Sequence, residues 1–409
     1  MSALSDTLDF YRCFGYFAFG GSYAGCPYFK DRLQAKVQVY SLALIFYLWS
    51  RPHYRSGTFQ NDMVKNLRNV AIPGTGVPLS IFCYFKPLTY LFVLFINPLV
   101  CAVAAWHSHK KTGRPWQETY CEQLLTPQDW FSYWRLNCRL ASYHSYLTSS
   151  DGYRQEDKWT FLKEGKEKGV PISPYLDVPA IVVKDKNEEG GMGIFFYKNA
   201  VVDGDWIIQE RLYNNAFVAG LLPESAPLST MRVITGSRWW LDKQEGRAAG
   251  AESIKALSSV FRAGMAGAST DHSSILFDVD SKTGTIGKGT TNNHWYKLGP
   301  QSVMTCPWLS THDTTHHPDN HQQVTGAVIP DMKSVLAMVV DSHNKLLPDV
   351  PMVGWDVAMT NKGVVLLEVN LSCNFFRGSF DVASYISMVD EYWTQLEKLR
   401  ILKDGKKQN

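Results

Sequence analysis

The stretch Gly354–Asn370 reads GWDVAMTNKGVVLLEVN, two apolar, β-branched runs separated by Asn361-Lys362-Gly363. Apolar runs joined by a short connection that contains glycine predict a β-hairpin. A loop of these three residues would place Asp356 opposite Glu368, with Asn370 on the same face, because side chains alternate along a strand. Two carboxylates that face each other repel unless a positive charge lies between them.

A divalent cation is the simplest source of that positive charge. Carboxylate and amide oxygens are hard ligands, which suit Mg²⁺ or Mn²⁺. The alternative is a surface hairpin whose polar face merely meets water. In either case the opposite face of the hairpin should point into a core, and that face carries Trp355, Val357, Val365, Leu367 and Val369.

Composition sets broad limits on the kind of protein. A chain of 409 residues can hold two or three domains with a full-sized core. A net charge of +3 shows no bias toward polyanions, so we do not expect nucleic acid as a partner. The eight cysteines form no C-x-x-C pair, which is typical of scattered reduced thiols. We therefore expect an intracellular, reducing compartment.

The first 120 residues contain two long apolar runs. Pro87–Trp106 has no charged residue and is followed at once by the basic segment His107–Lys111, so it is a candidate for membrane association. Val37–Ser50 is too short to span a bilayer but could lie in the membrane interface. The alternative for the longer run is a buried pair of helices, because Pro87 and Pro98 would break a single straight span. Any lipid partner should contact these two runs.

From about residue 126 the pattern is that of a globular α+β chain. Apolar residues at helical spacing predict helices over Trp130–Tyr146, Asp157–Glu167 and Lys333–Leu346. Besides the hairpin, apolar and β-branched runs predict strands over Ala180–Lys184, Gly193–Tyr197, Asp205–Leu212, Thr230–Leu241 and Ser274–Val279.

One loop in this part has the composition of a phosphate-binding loop. The strand that ends at Lys184 is followed by a polar segment with Gly190, Gly191 and Gly193. Glycines let backbone N–H groups approach an anion, and a lysine at a strand end can neutralise a phosphate oxygen. The alternative is an ordinary flexible hairpin.

The order of these segments resembles the ATP-grasp superfamily. The resemblance rests on Asp157-Lys158 before the Gly169-Val170-Pro171 turn, Lys184 with its glycine loop, Gln209-Glu210 at a strand end, Arg232 in a later strand, and Asp356 with Glu368-x-Asn370. The segments most similar to the sugar-transfer associated branch are Thr230–Thr235, Phe261–Gly264, Asp278–Gly284, His317–Asp319 and Gly354–Ala358. The resemblance covers roughly residues 125 to 395.

The resemblance implies a fold in which two α+β lobes clamp ATP, preceded here by the apolar helical region. We expect that region over residues 1–120, a helical lead-in and small lobe over 121–204, and a catalytic lobe over 205–409. The ATP contacts it implies are Lys158 and Lys184 on the phosphates, Gly190, Gly191 and Gly193 closing over them, and Gln209, Glu210 and Leu212 beside adenine. The ligands it implies for Mg²⁺ or Mn²⁺ are Asp356, Glu368 and Asn370.

Two arginines are the candidate catalytic residues. Arg232 lies in a strand interior and Arg262 lies between apolar residues and glycine, where an unpaired guanidinium would be costly. Each should therefore meet an anion, either a phosphate or substrate carboxylate or a structural Asp or Glu. Thr311–His321 holds four histidines, but their spacing fits no closed zinc site, so we expect a polar loop near the substrate that includes His317.

The activity implied by the resemblance is that of an ATP-dependent ligase. Such an enzyme activates a carboxylate as an acyl phosphate and joins it to an amine or a thiol, with release of ADP and phosphate. The expected partners are ATP and small-molecule carboxylate and amine substrates. Two alternatives stay open: a kinase on the same fold, and a non-catalytic, membrane-anchored scaffold that binds nucleotide. Residues Thr270–Ser274 depart from the family's pattern and leave the acceptor site unassigned.

Overall fold

The computed structural model describes residues 3–68, 70, 77–127, 130–271, 274–291, 313–373 and 380–405. The helices of these residues are α1 (Ala3–Ala18), α2 (Leu33–Leu48), α3 (Phe59–Leu67), α4 (Lys86–Leu91), α5 (Asn97–Thr112), α6 (Trp116–Leu125), α7 (Trp130–Thr148), α8 (Lys158–Glu167), α9 (Ala216–Leu221), α10 (Trp239–Gln244), α11 (Met332–Leu346) and α12 (Val382–Gly405). The strands are β1 (Ala180–Lys184), β2 (Ile194–Lys198), β3 (Thr230–Ser237), β4 (Ile254–Gly264), β5 (Ser274–Val279), β6 (Ile286–Thr291), β7 (Met352–Thr360) and β8 (Gly363–Asn370).

The strands form two antiparallel sheets. β1 and β2 make a separate hairpin, and the other six strands form one sheet in the order β6-β5-β4-β3-β7-β8. Helices α8, α9 and α11 pack on this sheet around the buried Phe161 and Trp355. The predicted α+β class is therefore confirmed.

Most predicted elements are present, and one predicted strand is wrong. Within Asp205–Leu212 the backbone makes only isolated bridges, a parallel one from Trp206 to Asn199 and an antiparallel one from Gln209 to Tyr175. One bridge is parallel and the other is antiparallel, and each involves a different partner segment. The two bridges therefore cannot belong to one continuous ladder. The predicted strand at 230–241 is also too long, since β3 ends at Ser237 and α10 follows. Strands β4 and β6 were not predicted.

The hairpin β7–β8 places Asp356 opposite Glu368, as predicted, but by a different route. The turn has two residues instead of three, because Gly363 pairs directly with Thr360 and adopts a φ of 108°. A register shift next to Asp356 then leaves Leu367 as an extra residue in β8. This bulge restores the alignment that the shorter turn had changed by one residue.

The bulge also changes which side chains face the core. Trp355, Val357 and Val369 are buried in the core, as predicted, together with Leu366. The prediction that Val365 and Leu367 face that core is wrong, because both pack instead against Leu212 in a small cluster on the other face. A single inserted residue changes which face of the sheet the side chains on its far side point to.

The N-terminal helices share a hydrophobic core with α7 and α12. Tyr40 of α2 packs against Trp393 of α12, with ring centroids 5.5 Å apart, and Tyr143 of α7 contacts the same tryptophan. Helix α2 is buried along nearly its whole length. The expectation that Val37–Ser50 lies in a membrane interface is therefore wrong, because its side chains face protein.

Lys86–Thr112 forms one continuous helix of 27 residues, in which the π-helical segment Phe92–Ile96 joins α4 to α5. Among the described residues it alone has the length and apolar composition to cross a membrane, and 33% of its most apolar window is buried in the protein. The break at Pro98 that the alternative of a helix pair required does not occur. Proline has no N–H to donate to the carbonyl of Leu94, and the Tyr11 hydroxyl donates to that carbonyl at 2.6 Å instead.

Candidate active site

Three charged side chains lie in one row across the large sheet. Arg232 of β3 pairs in register with Asp356 of β7, and Asp356 pairs with Glu368 of β8. Residues that are paired across neighbouring antiparallel strands point to the same face. The Nε of Arg232 donates to Oδ1 of Asp356, and both side chains are about nine-tenths buried. The sheet thus builds a buried ion pair beside the second carboxylate.

A second arginine completes the network around Asp356. Arg262 of β4 lies 3.4 Å from Oδ2 of Asp356 and 3.2 Å from Oδ1 of Asp271. The Thr230 hydroxyl donates to the Asp271 carboxylate. Burial raises the pKa of Asp271 above its usual value, against the lowering effect of Arg262. Both candidate catalytic arginines therefore meet carboxylates, which is the structural pairing that the sequence left open.

The other carboxylate of the hairpin is also paired. Nζ of Lys158, the first residue of α8, lies 2.7 Å from Oε2 of Glu368. Asp157 caps this helix by accepting from the backbone N–H of Thr160. Lys158 itself is 67% exposed, so it faces open space above the hairpin. Each of the two carboxylates is therefore paired with cations of the chain itself.

This charged row forms one wall of a cleft of about 470 Å³. The predicted site residues that line the cleft are Lys158, Gln209, Glu210, Leu212, Arg262, Asp356 and Glu368. The sequence missed Ser173, Thr230, Ser269 and Asp271, which also line it. Single Ser, Thr and Asp residues without a recurring spacing carry no distinguishing pattern, so only the fold reveals them.

The segment predicted to contact adenine lies along another wall. Gln209 donates through Nε2 to the Ser173 hydroxyl at 3.0 Å. Glu210 forms an ion pair with Lys362, the exposed lysine of the hairpin turn, at 2.6 Å. Leu212 is buried and gives this wall an apolar patch. The wall thus offers both polar edges and an apolar surface.

Six predicted site residues do not line the cleft, and four of them belong to one hairpin. Lys184, Gly190, Gly191 and Gly193 belong to the β1–β2 hairpin, and all three glycines have positive φ. Such backbone geometry favours glycine, as the predicted loop requires. The structure does not bring this hairpin into the cleft wall.

Arg232 and Asn370 also lie behind the cleft lining. Arg232 reaches the site through Asp356, and Asn370 pairs with Gly354 at the end of β8. The Nδ2 of Asn370 is buried without a hydrogen-bond partner. A buried amide donor in this state is available to an incoming acceptor.

The loop 265–271, which carries Asp271, is held from behind by His317 and Asp319. The N–H of Asp319 donates to Nδ1 of His317 at 3.2 Å, so the proton of this imidazole is on Nε2, which donates to the carbonyl of Gly264 at 3.1 Å. The Asp319 carboxylate accepts from the N–H of Ala266 at 2.7 Å. His317 is fully buried, so it supports the loop and does not face the cleft.

The donors predicted for Mg²⁺ are two carboxylates and an amide, which is the oxygen chemistry that Mg²⁺ prefers. Within the described ranges, no group of three or more His, Cys, Asp or Glu side chains could hold a metal ion. Each carboxylate is already neutralised, Asp356 by Arg232 and Arg262 and Glu368 by Lys158. The oxygen ligands therefore fit Mg²⁺ chemically. To bind the metal, the two carboxylates would have to separate from the cations with which they are paired.

Comparison with known proteins locates the family signal in the second half of the chain. Residues 249–388 match the family described as sugar-transfer associated ATP-grasp. This range includes Arg262, Asp271, Asp356 and Glu368. The comparison with curated proteins gave no match.

Two solved structures show distant similarity. One is N5-carboxyaminoimidazole ribonucleotide synthetase from Thermotoga maritima, with 10% identity, a TM-score of 0.25, and coverage of 54% of this chain and 42% of that chain. The other is the ATP-grasp ligase PsnB complexed with minimal precursor, with 11% identity, a TM-score of 0.28, and coverage of 69% and 75%. This chain therefore spans less than half the length of the first structure.

ATP-grasp proteins generally use ATP and Mg²⁺. The match covers two of the three strands of the charged row, β7 and β8, together with β4. The predicted resemblance to the sugar-transfer associated ATP-grasp family is thus confirmed, over residues 249–388.

Proposed function

We propose that this chain is an ATP-dependent ligase that joins a carboxylate to an amine or a thiol. The observation that carries the proposal is the single cleft into which Lys158, Gln209, Arg262, Asp356 and Glu368 converge. These residues come from α8, the 205–212 segment and three strands, and an apolar patch lies beside them. A cleft that is lined by cations and carboxylates and has an apolar wall is suited to binding a nucleoside triphosphate.

The chain's own cations supply the charge that phosphoryl transfer requires. Lys158 and Arg262 line the cleft, where they can oppose phosphate oxygens, and Arg232 lies directly behind Asp356. Fixed positive groups near the transferring phosphoryl group stabilise charge in the transition state. When bound, Mg²⁺ would neutralise phosphate charge, with Asp356, Glu368 and Asn370 as its ligands.

The proposed reaction has two steps. The substrate carboxylate attacks the γ-phosphorus of ATP, so that an acyl phosphate forms and ADP leaves. An amine or a thiol then attacks the acyl carbon and displaces phosphate. In this scheme Lys158 and Arg262 hold the phosphates, and Gln209, Glu210 and Leu212 hold the adenine end.

The β1–β2 hairpin is proposed as a cover for the phosphates. Its strands are short, and Phe195 and Phe196 are 56% and 75% exposed. Lys184 stands at one end of this hairpin and the three glycines form its turn. Successive side chains of a strand point to opposite faces, so closure of the hairpin over bound nucleotide would bury one of these two rings and bring Lys184 toward the phosphates.

We also propose a reducing intracellular compartment. The seven cysteines that lie within the described residues are free thiols, and six of them are buried. Burial raises the pKa of the Cys138 thiol to about 12, which keeps it protonated and unreactive.

The test uses the purified full-length protein with ATP, Mg²⁺ and pools of carboxylates, amines and thiols. The ligase should release ADP and phosphate only when a carboxylate and a nucleophile are both present. Formation of a stable phosphorylated product with a single acceptor would identify a kinase instead. If calorimetry detects nucleotide binding that does not depend on Mg²⁺, and no pool gives turnover, the non-catalytic scaffold replaces the enzyme.

Glu368→Gln is the sharpest variant for this proposal. It keeps the shape of the side chain but removes the charge, so we expect Mg²⁺-dependent nucleotide binding and turnover to be lost while the protein stays folded. Glu391→Gln, which removes a carboxylate paired with Arg238 away from the cleft, is the matched control. Wild-type turnover by Glu368→Gln would contradict the assignment of this carboxylate.

A further inference from the structure

One face of the helix Lys86–Thr112 is an exposed apolar stripe, unconnected with the cleft. The side chains of this stripe are Leu91, Phe95, Leu99 and Trp106, which are 45%, 64%, 64% and 47% exposed. They recur at intervals of about one or two helical turns, so they lie along one side of the helix. Between Leu91 and Trp106 the stripe is about 22 Å long.

The opposite face of the same helix is fixed to the protein. Its buried residues are Thr89, Val93, Pro98, Cys101, Ala104 and Ala105. Side-chain donors from two other helices hold its backbone, since the Tyr11 hydroxyl donates to the carbonyl of Leu94 and the Trp116 indole donates to the carbonyl of Ala102 at 3.2 Å. A helix surrounded by lipid would lose these contacts, so only its exposed stripe can meet a membrane.

The charged side chains of this helix itself are all basic. Residues 86–112 contain no aspartate or glutamate, and lysines stand at both ends as Lys86, Lys110 and Lys111. Nζ of Lys110 lies 3.7 Å from the centre of the Trp106 ring, so the two groups share one position at the end of the stripe. Tryptophan and lysine are typical of the level where lipid headgroups meet the acyl chains.

We propose that this stripe docks on an anionic lipid bilayer, with the helix axis parallel to the membrane surface. The apolar side chains would enter the boundary between headgroups and acyl chains, and the lysines at both ends would contact acidic headgroups. A complementary surface on a second protein is disfavoured by the lysines, which are depleted in the cores of protein interfaces. The proposal does not depend on the ligase activity.

The experiment is flotation of the full-length protein with vesicles of phosphatidylcholine alone or mixed with phosphatidylserine. The wild type should float with the mixed vesicles. Phe95→Glu/Leu99→Glu should lower that binding by a factor of at least about ten, because two apolar side chains are replaced by anions. Phe196→Glu, an equally exposed aromatic on β2, should bind as the wild type does.

A second variant tests the electrostatic part. Lys110→Glu/Lys111→Glu should reduce binding to the mixed vesicles to the level seen with phosphatidylcholine alone. Thermal unfolding should be unchanged in both double variants, because the replaced side chains are exposed. The proposal is overturned if the wild type does not float with mixed vesicles, or if Phe95→Glu/Leu99→Glu floats as the wild type does. A wild-type dimer that becomes monomeric in this variant, without vesicle binding, would assign the stripe to a second copy.

Discussion

Asp356 is the residue on which the site depends most strongly. It is a cross-strand neighbour of both Arg232 and Glu368, and Arg262 contacts its other oxygen. Two guanidinium groups and a carboxylate are buried together here, and the desolvation of each charge alone would cost free energy. Removing one partner therefore leaves the others buried without compensation.

We expect Asp356→Asn to lower the free energy of unfolding by roughly 3 kcal/mol, because Arg232 loses its carboxylate partner. Urea unfolding followed by circular dichroism measures the change. Asp341→Asn is the control, since it removes an exposed pair with Lys345 that should contribute less than about 0.5 kcal/mol. The double variant Arg232→Met/Asp356→Leu should be more stable than Asp356→Asn, and equal losses in all three proteins would contradict the argument.

At the scale of one element, the helix Lys86–Thr112 shows how a proline is accommodated. Pro98 cannot donate to the carbonyl of Leu94, and the π-helical segment just before it takes up an extra residue. Tyr11 of α1 supplies the missing donor. A break expected from local sequence is thus prevented by a contact from a different helix.

Tyr11→Phe should lower the free energy of unfolding by about 1 kcal/mol, because the carbonyl of Leu94 loses its donor. In a Pro98→Ala background the restored N–H can serve this carbonyl, so the same replacement should cost less. A double-mutant cycle by urea unfolding measures the difference. Equal costs in both backgrounds would show that the hydroxyl acts independently of the proline.

The loop 265–271 is a second element whose position is set from outside. The Asp319 carboxylate accepts from the N–H of Ala266, and the backbone N–H of Asp319 donates to Nδ1 of His317. The Nε2 of His317 then donates to the carbonyl of Gly264. The loop in turn carries Asp271, the second carboxylate on Arg262. The support behind the loop therefore determines where one side of the charged cluster lies.

Asp319→Ala should weaken the binding of a non-hydrolysable ATP analogue by roughly tenfold, about 1.4 kcal/mol, because the loop loses its anchor at Ala266. Isothermal titration calorimetry measures the affinity. Asp313→Ala, which removes an exposed ion pair with Lys288, is the control and should leave the affinity unchanged. Unchanged affinity in Asp319→Ala would show that the loop does not contribute to nucleotide binding.

At the scale of the whole molecule, three buried histidines are held neutral by the packed cores. Burial lowers the pKa of His144 to about 3, and lowers the pKa values of His53 and His343 to about 4. Nδ1 of His343 accepts a hydrogen bond from the Thr235 hydroxyl, and Nε2 donates to the carbonyl of Val350. These hydrogen bonds require the neutral ring.

Stability should therefore fall as the pH drops from about 6.5 toward 4. In that range the unfolded chain binds protons on these histidines while the folded chain does not, so acid favours unfolding. Urea unfolding at a series of pH values measures the slope, and His343→Gln should make it shallower. A stability that is constant over this range would contradict the assigned neutral states.

Much of the fold is readable from the sequence because short-range patterns determine secondary structure. The helices at 158–167 and 332–346 and the strands at 180–184 and 274–279 follow from spacing and caps. The predicted strand at 205–212 is wrong because a strand must pair with a neighbouring strand, and the sequence of the segment does not specify that neighbour. The assignment of the expected domain boundaries, at 120 and 204, stays a prediction.

The sequence by itself determined that two apolar strands form a hairpin with Asp356 and Glu368 on it, and that the order of motifs resembles ATP-grasp proteins, whereas the two-residue turn and the bulge that pair these carboxylates are seen only in the structure. Only the tertiary structure decided which cations neutralise these carboxylates, since Arg232 is 124 residues from Asp356 along the chain. It also decided that α2 is buried and that the helix Lys86–Thr112 keeps one face exposed. Periodicity is a local property, whereas burial and charge pairing depend on segments that meet only when the chain folds.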